Sequence, residues 1–396
     1  MTSQPLQVAR TCPYAPPAQH VEMRDNGGIT RVRLPNGREA WALSRMDHLR
    51  AMLSDPRFSS DRDNPHYPSF RADEVPPSGG GGRMLINMDP PEHGPARRAI
   101  TGEFTLRRVA ELRPRIQEIV DELIDAMLAG PQPVDLVRAF SLPVPSLVIC
   151  EMLGVPYTDH DFFQAHTATM VNRDTPPDEM QKTMQALWLY MAELVQGKSR
   201  EPGDDVLSRQ LADGAAPEDV IALAFLLLVA GHETTANMIS LGVLTLLERP
   251  EHLAALLADP SGTPMAVEEL LRYFTIVEFG NSRVATDDVE LAGTTIRAGE
   301  AVVSLTNAAN HDPEVFPEAD QLKLDRGARN HLAFGYGRHQ CLGQNLARLE
   351  LEIVFNTLLR RVPSLRLAVP AEEVPFKDDA EIYGIHRLPV AWDARP

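Results

Sequence analysis

The stretch Phe334-Gly335-Tyr336-Gly337-Arg338-His339-Gln340-Cys341-Leu342-Gly343 governs how the rest of the chain is read. It is a glycine-rich loop that runs into a helical pattern over about 342–361. Gly335 and Gly337 permit backbone turns closed to other residues. Cys341 stands at the helix N-terminus, where free N–H groups and the helix dipole stabilise an anion. A cysteine so placed can be held as a thiolate, the form that binds metal. Gly343 leaves room for a flat, bulky group against the first helical turn. One thiolate cannot hold a zinc ion or an iron–sulfur cluster alone, but it can be the single axial ligand of a haem iron. A lone cysteine is more often an inert core residue. Cys12 and Cys150 are read that way, and the setting of Cys341 sets it apart.

Around this loop the chain is mostly helical from Pro91 onward. Apolar residues recur at helical spacing near 92–104, 106–129, 140–153, 158–172, 177–197 and 204–212. Pro217-Glu218-Asp219 opens a helix that runs to Glu248, with proline early and acids in its first turn. It is roughly 48 Å long at 1.5 Å per residue and apolar all round, which predicts burial. A further helix is expected over 264–274. Strand character appears in a hairpin at 29–44, around Pro35-Asn36-Gly37, and at 281–305 and 364–393. The first 20 residues are proline-rich and read as an extended arm, and 56–84 reads as a candidate functional loop. No strand–helix–strand alternation occurs, which argues against a doubly wound sheet. The expected fold is mainly α with small β-sheets, as one domain over 1–396.

With 43% hydrophobic and 23% charged residues, the 396-residue chain has a soluble globular composition. Its formal charge of −17 argues against general nucleic-acid or anionic-membrane binding. Three scattered cysteines fit neither a disulfide framework nor a zinc cluster. The N-terminal residues lack an apolar core, and the longest apolar run, Val220 to Ala230, is short of the ~20 residues of a membrane span. The expectation is a cytoplasmic protein with no nucleic-acid or membrane partner.

Ala230-Gly231-His232-Glu233-Thr234-Thr235 interrupts the apolar run of the long helix. Buried polar groups are costly without partners, so the break implies a functional kink or neighbouring helices that satisfy it. His232-Glu233 is similar to the start of the zinc-protease HExxH motif, but the second histidine position is Ala236. Glu269 and Arg272 share a helix face at i,i+3, an arrangement that means little on a surface. His93 and Arg97, at i,i+4 after Asp89-Pro90-Pro91, share another, and a solvated basic helix is the bland alternative. Residues 93–116 hold Arg97, Arg98, Arg107, Arg108, Arg113 and Arg115 against Glu103 and Glu111, a local excess of positive charge.

The Cys341 loop matches every fixed position of Phe-Gly-x-Gly-x-His-x-Cys-x-Gly and resembles the haem-binding loop of the bacterial cytochrome P-450 family. Asn345-Leu346-Ala347-Arg348-Leu349-Glu350 continues the pattern, and the motifs occur in family order over 88–352. The resemblance covers essentially the whole chain. It implies a cytochrome P-450 fold with heme b (iron protoporphyrin IX) buried between the long helix and the cysteine loop. Cys341 becomes the iron ligand, with Phe334, Gly335, His339 and Gly343 in the haem loop. His93, Arg97, Arg283 and His339 become propionate ligands, although the usual Thr-Arg after the first of them is Gly94-Pro95 here. Glu233 and Thr234 become the acid–alcohol pair that manages protons, and Ala230 and Gly231 leave space for dioxygen. His232 and Thr235 are structural, as are Glu269 and Arg272 with Arg326 as their third partner.

The implied activity is monooxygenation, the insertion of one oxygen atom from dioxygen into a C–H bond. Glu381-Ile382-Tyr383-Gly384-Ile385-His386 resembles the actinobacterial subfamily that oxidises secondary metabolites and foreign compounds. The expected substrate is a bulky apolar small molecule such as a macrolide, polyketide, terpenoid or steroid. Electrons are expected from a separate ferredoxin and ferredoxin reductase, with the basic strip at 93–116 as a candidate docking face. Pocket walls are expected around 60–88, 158–190, 276–280 and 382–384, with 74–82 as a mobile lid. Two alternatives are a peroxide-driven or oxidative-coupling enzyme of the same fold and a non-enzymatic haem-binding protein. The acid–alcohol pair argues against a dedicated peroxygenase, and a haem carrier or sensor has no need of a proton relay.

Overall fold

Prolines mark where many of the helices begin, because the N–H that proline lacks is unpaired in a first helical turn anyway. The structure is a computed structural model and describes residues 3–72 and 84–393. The helices are α1 Ala18–Asp25, α2 Met46–Ser54, α3 His93–Thr101, α4 Leu106–Glu111, α5 Arg113–Ala129, α6 Pro143–Leu153 and α7 His160–Val171. They continue with α8 Pro177–Arg200, α9 Val206–Ala212, α10 Pro217–Glu248, α11 Pro250–Ala258, α12 Thr263–Phe274, α13 Thr306–Asn310 and α14 Gln344–Arg361. The strands are β1 Gln4–Pro5, β2 Ile29–Arg33, β3 Glu39–Leu43, β4 Phe58–Ser59, β5 Val134–Asp135, β6 Arg283–Ala285, β7 Val289–Leu291, β8 Thr294–Ile296, β9 Ala301–Ser304, β10 Arg366–Leu367 and β11 Pro389–Ala391. They form a mixed sheet ordered β1-β2-β3-β9-β6-β4, a three-stranded sheet β10-β11-β5 and the hairpin β7-β8. The architecture is the expected one, mainly α with small β-sheets.

Helix α10 is the axis of the core. It is apolar enough and long enough to cross a membrane, but α6, α8, α12 and α14 pack around it and bury most of its side chains. The hairpin at 29–44 forms as expected, with Arg31 opposite Trp41. Four expectations need correction. The helix expected over 106–129 is two helices that meet at Leu112, because Pro114 has no N–H to donate to the Ala110 carbonyl and its ring crowds that group. The helix expected over 140–153 begins at Pro143, after a wider turn at Val137–Ser141. The strand character of 364–393 condenses into only β10 and β11. Helix α11, directly after α10, was not anticipated, since Pro250 reads equally well as a stop and as a first helical residue. The lid expected at 74–82 lies outside the described residues.

The N-terminal arm is bound along its length. β1 pairs with β2. Arg10 forms a buried ion pair with Glu278, donates to the Phe274 carbonyl at 2.6 Å and stacks on the Tyr383 ring at 3.9 Å. Tyr14 bonds Glu248 at the end of α10 and packs against Phe274 and Phe376.

The Glu269–Arg272 pair is fully buried. Arg272 reaches both oxygens of Glu269 at 2.8 Å and donates to the carbonyls of Asn310 and Ala319. Arg326 joins at 3.0 Å, and the Lys323 backbone N–H donates to Glu269 at 2.9 Å. The three residues therefore tie α12 to the irregular segment after α13. Removing one partner of a buried pair strands the other charge, so Glu269→Gln is expected to cost about 3–5 kcal/mol. Equilibrium urea unfolding checks this; an unchanged midpoint would sink the structural role.

Candidate active site

The chain between Asn310 and Gln344 has no strand or α-helix, so the cysteine loop is shaped by its glycines and its neighbours. Cys341 N–H donates to the Phe334 carbonyl at 2.8 Å and closes the loop. Gly335 and Gly337 have φ of 70° and 69°, in the left-handed region. A Cβ at Gly337 would stand 2.6 Å from the Leu53 carbonyl oxygen at the end of α2, so no other residue fits there. A Cβ at Gly343 would meet nothing within 4 Å, which leaves the expected room against the first turn of α14. Burial pushes the Cys341 thiol up, against the backbone N–H groups of Gly343 and Gln344 and the charges of Arg97 and Arg348. Burial and the helix N-terminus therefore act on the Cys341 thiol in opposite directions.

Basic side chains converge beside this loop. His93 opens α3, is buried, and has its ring 4.2 Å from that of His339. Its Nε2 is buried without a partner. Gly94-Pro95 leaves the start of α3 intact, with the His93 N–H donating to the Asp89 carbonyl at 3.0 Å. His339 Nε2 lies 3.0 Å from Ser60 Oγ, and Asp89 in turn accepts from the Ser60 backbone and hydroxyl. Arg283 is buried and donates to the Ser282 carbonyl. Arg97 donates to the Gln340 carbonyl at 2.6 Å. Burial, then Arg97 and Arg338, push His93 down, while burial, then Arg283 and His93, push His339 down to about 3. Burial also lowers Arg283. Four basic residues with Asp89 as the carboxylate among them, and one imidazole nitrogen unsatisfied, form a receptor for a dianionic group. A haem with two propionates and iron at Cys341 fits these residues.

The polar break in α10 sends its side chains in different directions. His232 bonds the Leu228 carbonyl and Thr167 of α7, at 2.7 and 2.9 Å. Thr235 bonds Glu350 of α14, whose carboxyl burial pushes up to about 8. Both are structural, as expected. Ala230 is exposed and Thr234 half-buried in the middle of a mostly buried helix, and Thr234 Oγ1 donates to the Ala230 carbonyl at 3.0 Å. A Cβ at Gly231 would stand 2.9 Å from Ile149, so the glycine permits the close approach of α6. Glu233 is buried and accepts from Asn237 at 3.2 Å and from Lys377 in an ion pair. Burial works to raise its carboxyl, but Lys377 and His232 hold it below the ordinary value. Lys377 was missed in the sequence, since nothing around it marks a partner for residue 233.

Described parts of the segments expected as pocket walls contact one another. Tyr383 N–H donates to the Ile276 carbonyl at 2.9 Å, and Gly384 packs directly on Asn237. The Arg173 N–H and guanidinium tie the turn after α7 to Asp379 and Ala380, and Arg71 donates to the Asn172 carbonyl. The basic strip is largely cancelled. Arg108 pairs with Glu103 and Glu111, Arg113 with Glu352, and Arg115 with Glu118, Glu122 and Glu151. Arg97 points inward. The count over 93–116 missed acids that α5, α6 and α14 bring from elsewhere.

Comparison with known proteins agrees with this geometry. The profile of the cytochrome P-450 family matches residues 262–389. Pentalenic acid synthase of Streptomyces avermitilis is 49% identical over 395 residues, covering 97% of this chain and 96% of that protein. Vitamin D3 dihydroxylase of Streptomyces griseolus is 46% identical, covering 97% and 95%. The crystal structure of cytochrome P-450 MoxA from Nonomuraea recticatena superposes with a TM-score of 0.91 at 54% identity, over 99% of both chains. The chain therefore belongs to the cytochrome P-450 family, as a haem-dependent monooxygenase.

Proposed function

We propose that the whole chain acts as one haem domain with Cys341 as the iron ligand, and that it hydroxylates a bulky, mainly apolar small molecule. The observation that carries the site assignment is the convergence of His93, Arg97, Arg283 and His339 beside the N–H groups that face Cys341, with His93 Nε2 left unsatisfied. Haem bound there supplies the redox centre at which dioxygen is reduced. The two imidazoles and two guanidiniums bind and orient its carboxylates. Relatives named for pentalenic acid and vitamin D3 support a terpenoid, steroid or comparably bulky substrate such as a macrolide or polyketide.

Thr234 and Glu233 divide the proton work. The one hydroxyl proton of Thr234 is committed to the Ala230 carbonyl, so its oxygen presents lone pairs to the cleft. It accepts a hydrogen bond there rather than releasing its own proton. Glu233 is the ionisable member, and its partner Lys377, 15% exposed, links it toward solvent. Electrons come from a separate ferredoxin reduced by its own reductase, which places the enzyme in the cytoplasm. Exposed Arg98 and Arg107, the latter paired with Glu111 at 3.6 Å, and half-buried Arg338 on the cysteine loop are cations on that face.

Cys341→Ala is expected to abolish the thiolate-type spectrum of the reduced carbon monoxide adduct; a retained spectrum would assign the iron to another residue. In Thr234→Ala, reductant consumption should persist while oxygen leaves as hydrogen peroxide, with product per reductant falling about tenfold or more. Unchanged coupling would remove Thr234 from the relay. Lys377→Met takes away the cation that depresses Glu233, so the carboxyl should hold its proton to higher pH. Both its infrared carbonyl band and the pH profile of coupling should move to higher pH. A profile superimposable on the wild type would show that the ion pair does not set the charge of Glu233.

A further inference from the structure

Glu268 stands next to Glu269 in α12 but faces another way and shares none of its partners. Its carboxylate is buried, with 4% of the side chain exposed. Arg348 of α14 grips it with two nitrogens, at 2.5 Å to one oxygen and 3.2 Å to the other. His331 Nε2 lies 3.1 Å from the second oxygen. The Ala333 N–H donates to His331 Nδ1 at 3.1 Å, so Nε2 carries the ring proton and donates to Glu268. Burial tends to raise the Glu268 carboxyl, but His331 and Arg348 hold it down at about 2.

The two partners sit at opposite ends of the cysteine loop. His331 lies just before Phe334, whose carbonyl accepts the Cys341 N–H. Arg348 lies in the second turn of α14. It lays its guanidinium 4.5 Å over the Phe334 ring and donates to the carbonyl and side-chain oxygens of Gln344. Gln344 supplies one of the two backbone N–H groups that face the Cys341 sulfur. A single carboxylate thus connects the segment that leads into the loop, the ring that flanks it and the helix turn that caps the sulfur.

We propose that Glu268 is a positioning residue for the Cys341 ligand, clamping the loop upstream through His331 and downstream through Arg348 so that the sulfur stays under the Gly343 and Gln344 N–H groups. This rests on Cys341 being the iron ligand. Without the clamp the two ends of the loop are no longer tied to one carboxylate, and the sulfur is free to move from the place that the Phe334 carbonyl and the first turn of α14 fix for it. The Glu269 network shares no side-chain partner with this clamp and meets it only through Asn310, whose carbonyl accepts from Arg272 and whose side chain accepts the Leu332 N–H at 2.7 Å.

The test uses the haem-loaded full-length protein and reads haem content, helix content by circular dichroism, and the reduced carbon monoxide spectrum. Glu268→Gln is expected to keep haem and helix content while most of the protein moves from the thiolate band to the neutral-thiol band. If Glu268→Gln does not fold, His331→Gln, which leaves the Arg348 pair intact, carries the test and should move a smaller fraction in the same direction. Glu269→Gln, the control, should lose stability without moving the band. A folded, haem-loaded Glu268→Gln or His331→Gln with the wild-type band overturns the clamp, as does an equal shift in Glu269→Gln. Cys341→Ala separates the two ideas. Loss of the thiolate band there, with Glu268→Gln unchanged, overturns the clamp alone, and persistence of the band there overturns the ligand assignment on which it rests.

Discussion

A carboxylate removed from water is tolerated only where cations and hydrogen bonds replace the solvent it lost. Helix α12 imposes that condition twice in succession, at Glu268 and Glu269. Neighbouring residues on a helix point about 100° apart, so the two acids must recruit partners from different parts of the chain. Glu269 takes Arg272 and Arg326 with the Lys323 N–H, and Glu268 takes His331 and Arg348. All but two of these partners lie between α13 and α14, where no strand or α-helix gives the backbone a ladder of its own. The course of that segment, and with it the setting of Cys341, depends on the two acids.

The same condition governs the middle of α10. Four consecutive polar side chains would be untenable on one face of an enclosed helix, and they are spread around it. His232 goes to α7, Glu233 to the turn at Lys377, and Thr235 to α14, which leaves Thr234 half-buried beside exposed Ala230. The burial of three of them singles out the fourth. Chemistry at Thr234 follows from the satisfaction of its neighbours as much as from its own hydroxyl.

What could be read from the sequence was what depends on local pattern. The cysteine loop, the long helix with its polar break, the Glu269–Arg272 spacing and the hairpin around Asn36-Gly37 all carry short-range signals. The architecture followed from those signals together with the family resemblance of the loop. What could not be read was pairing across the chain. Lys377 and Glu233 are separated by most of the C-terminal half, and no periodicity links them. The arginines of 93–116 looked unopposed because Glu151 and Glu352 reach them only through packing. The closeness of Gly231 to Ile149 was equally invisible, because a missing Cβ does not say which neighbour it faces. The adjacency of Glu268 and Glu269 was a usable sign, since two acids in a row on an apolar helix cannot both use the same partner.

The N-terminal arm carries a consequence for the order of assembly. Arg10 closes onto Glu278 and Tyr383, the Tyr383 hydroxyl donates to the Pro13 carbonyl, and Tyr14 reaches Glu248. These contacts join residues more than 200 positions apart, whereas β1 finds its partner β2 within about 30. Closing so long a loop carries an entropic cost that grows only slowly with its length. The segments around Glu278 and Tyr383 therefore gain these contacts only once the arm has joined them.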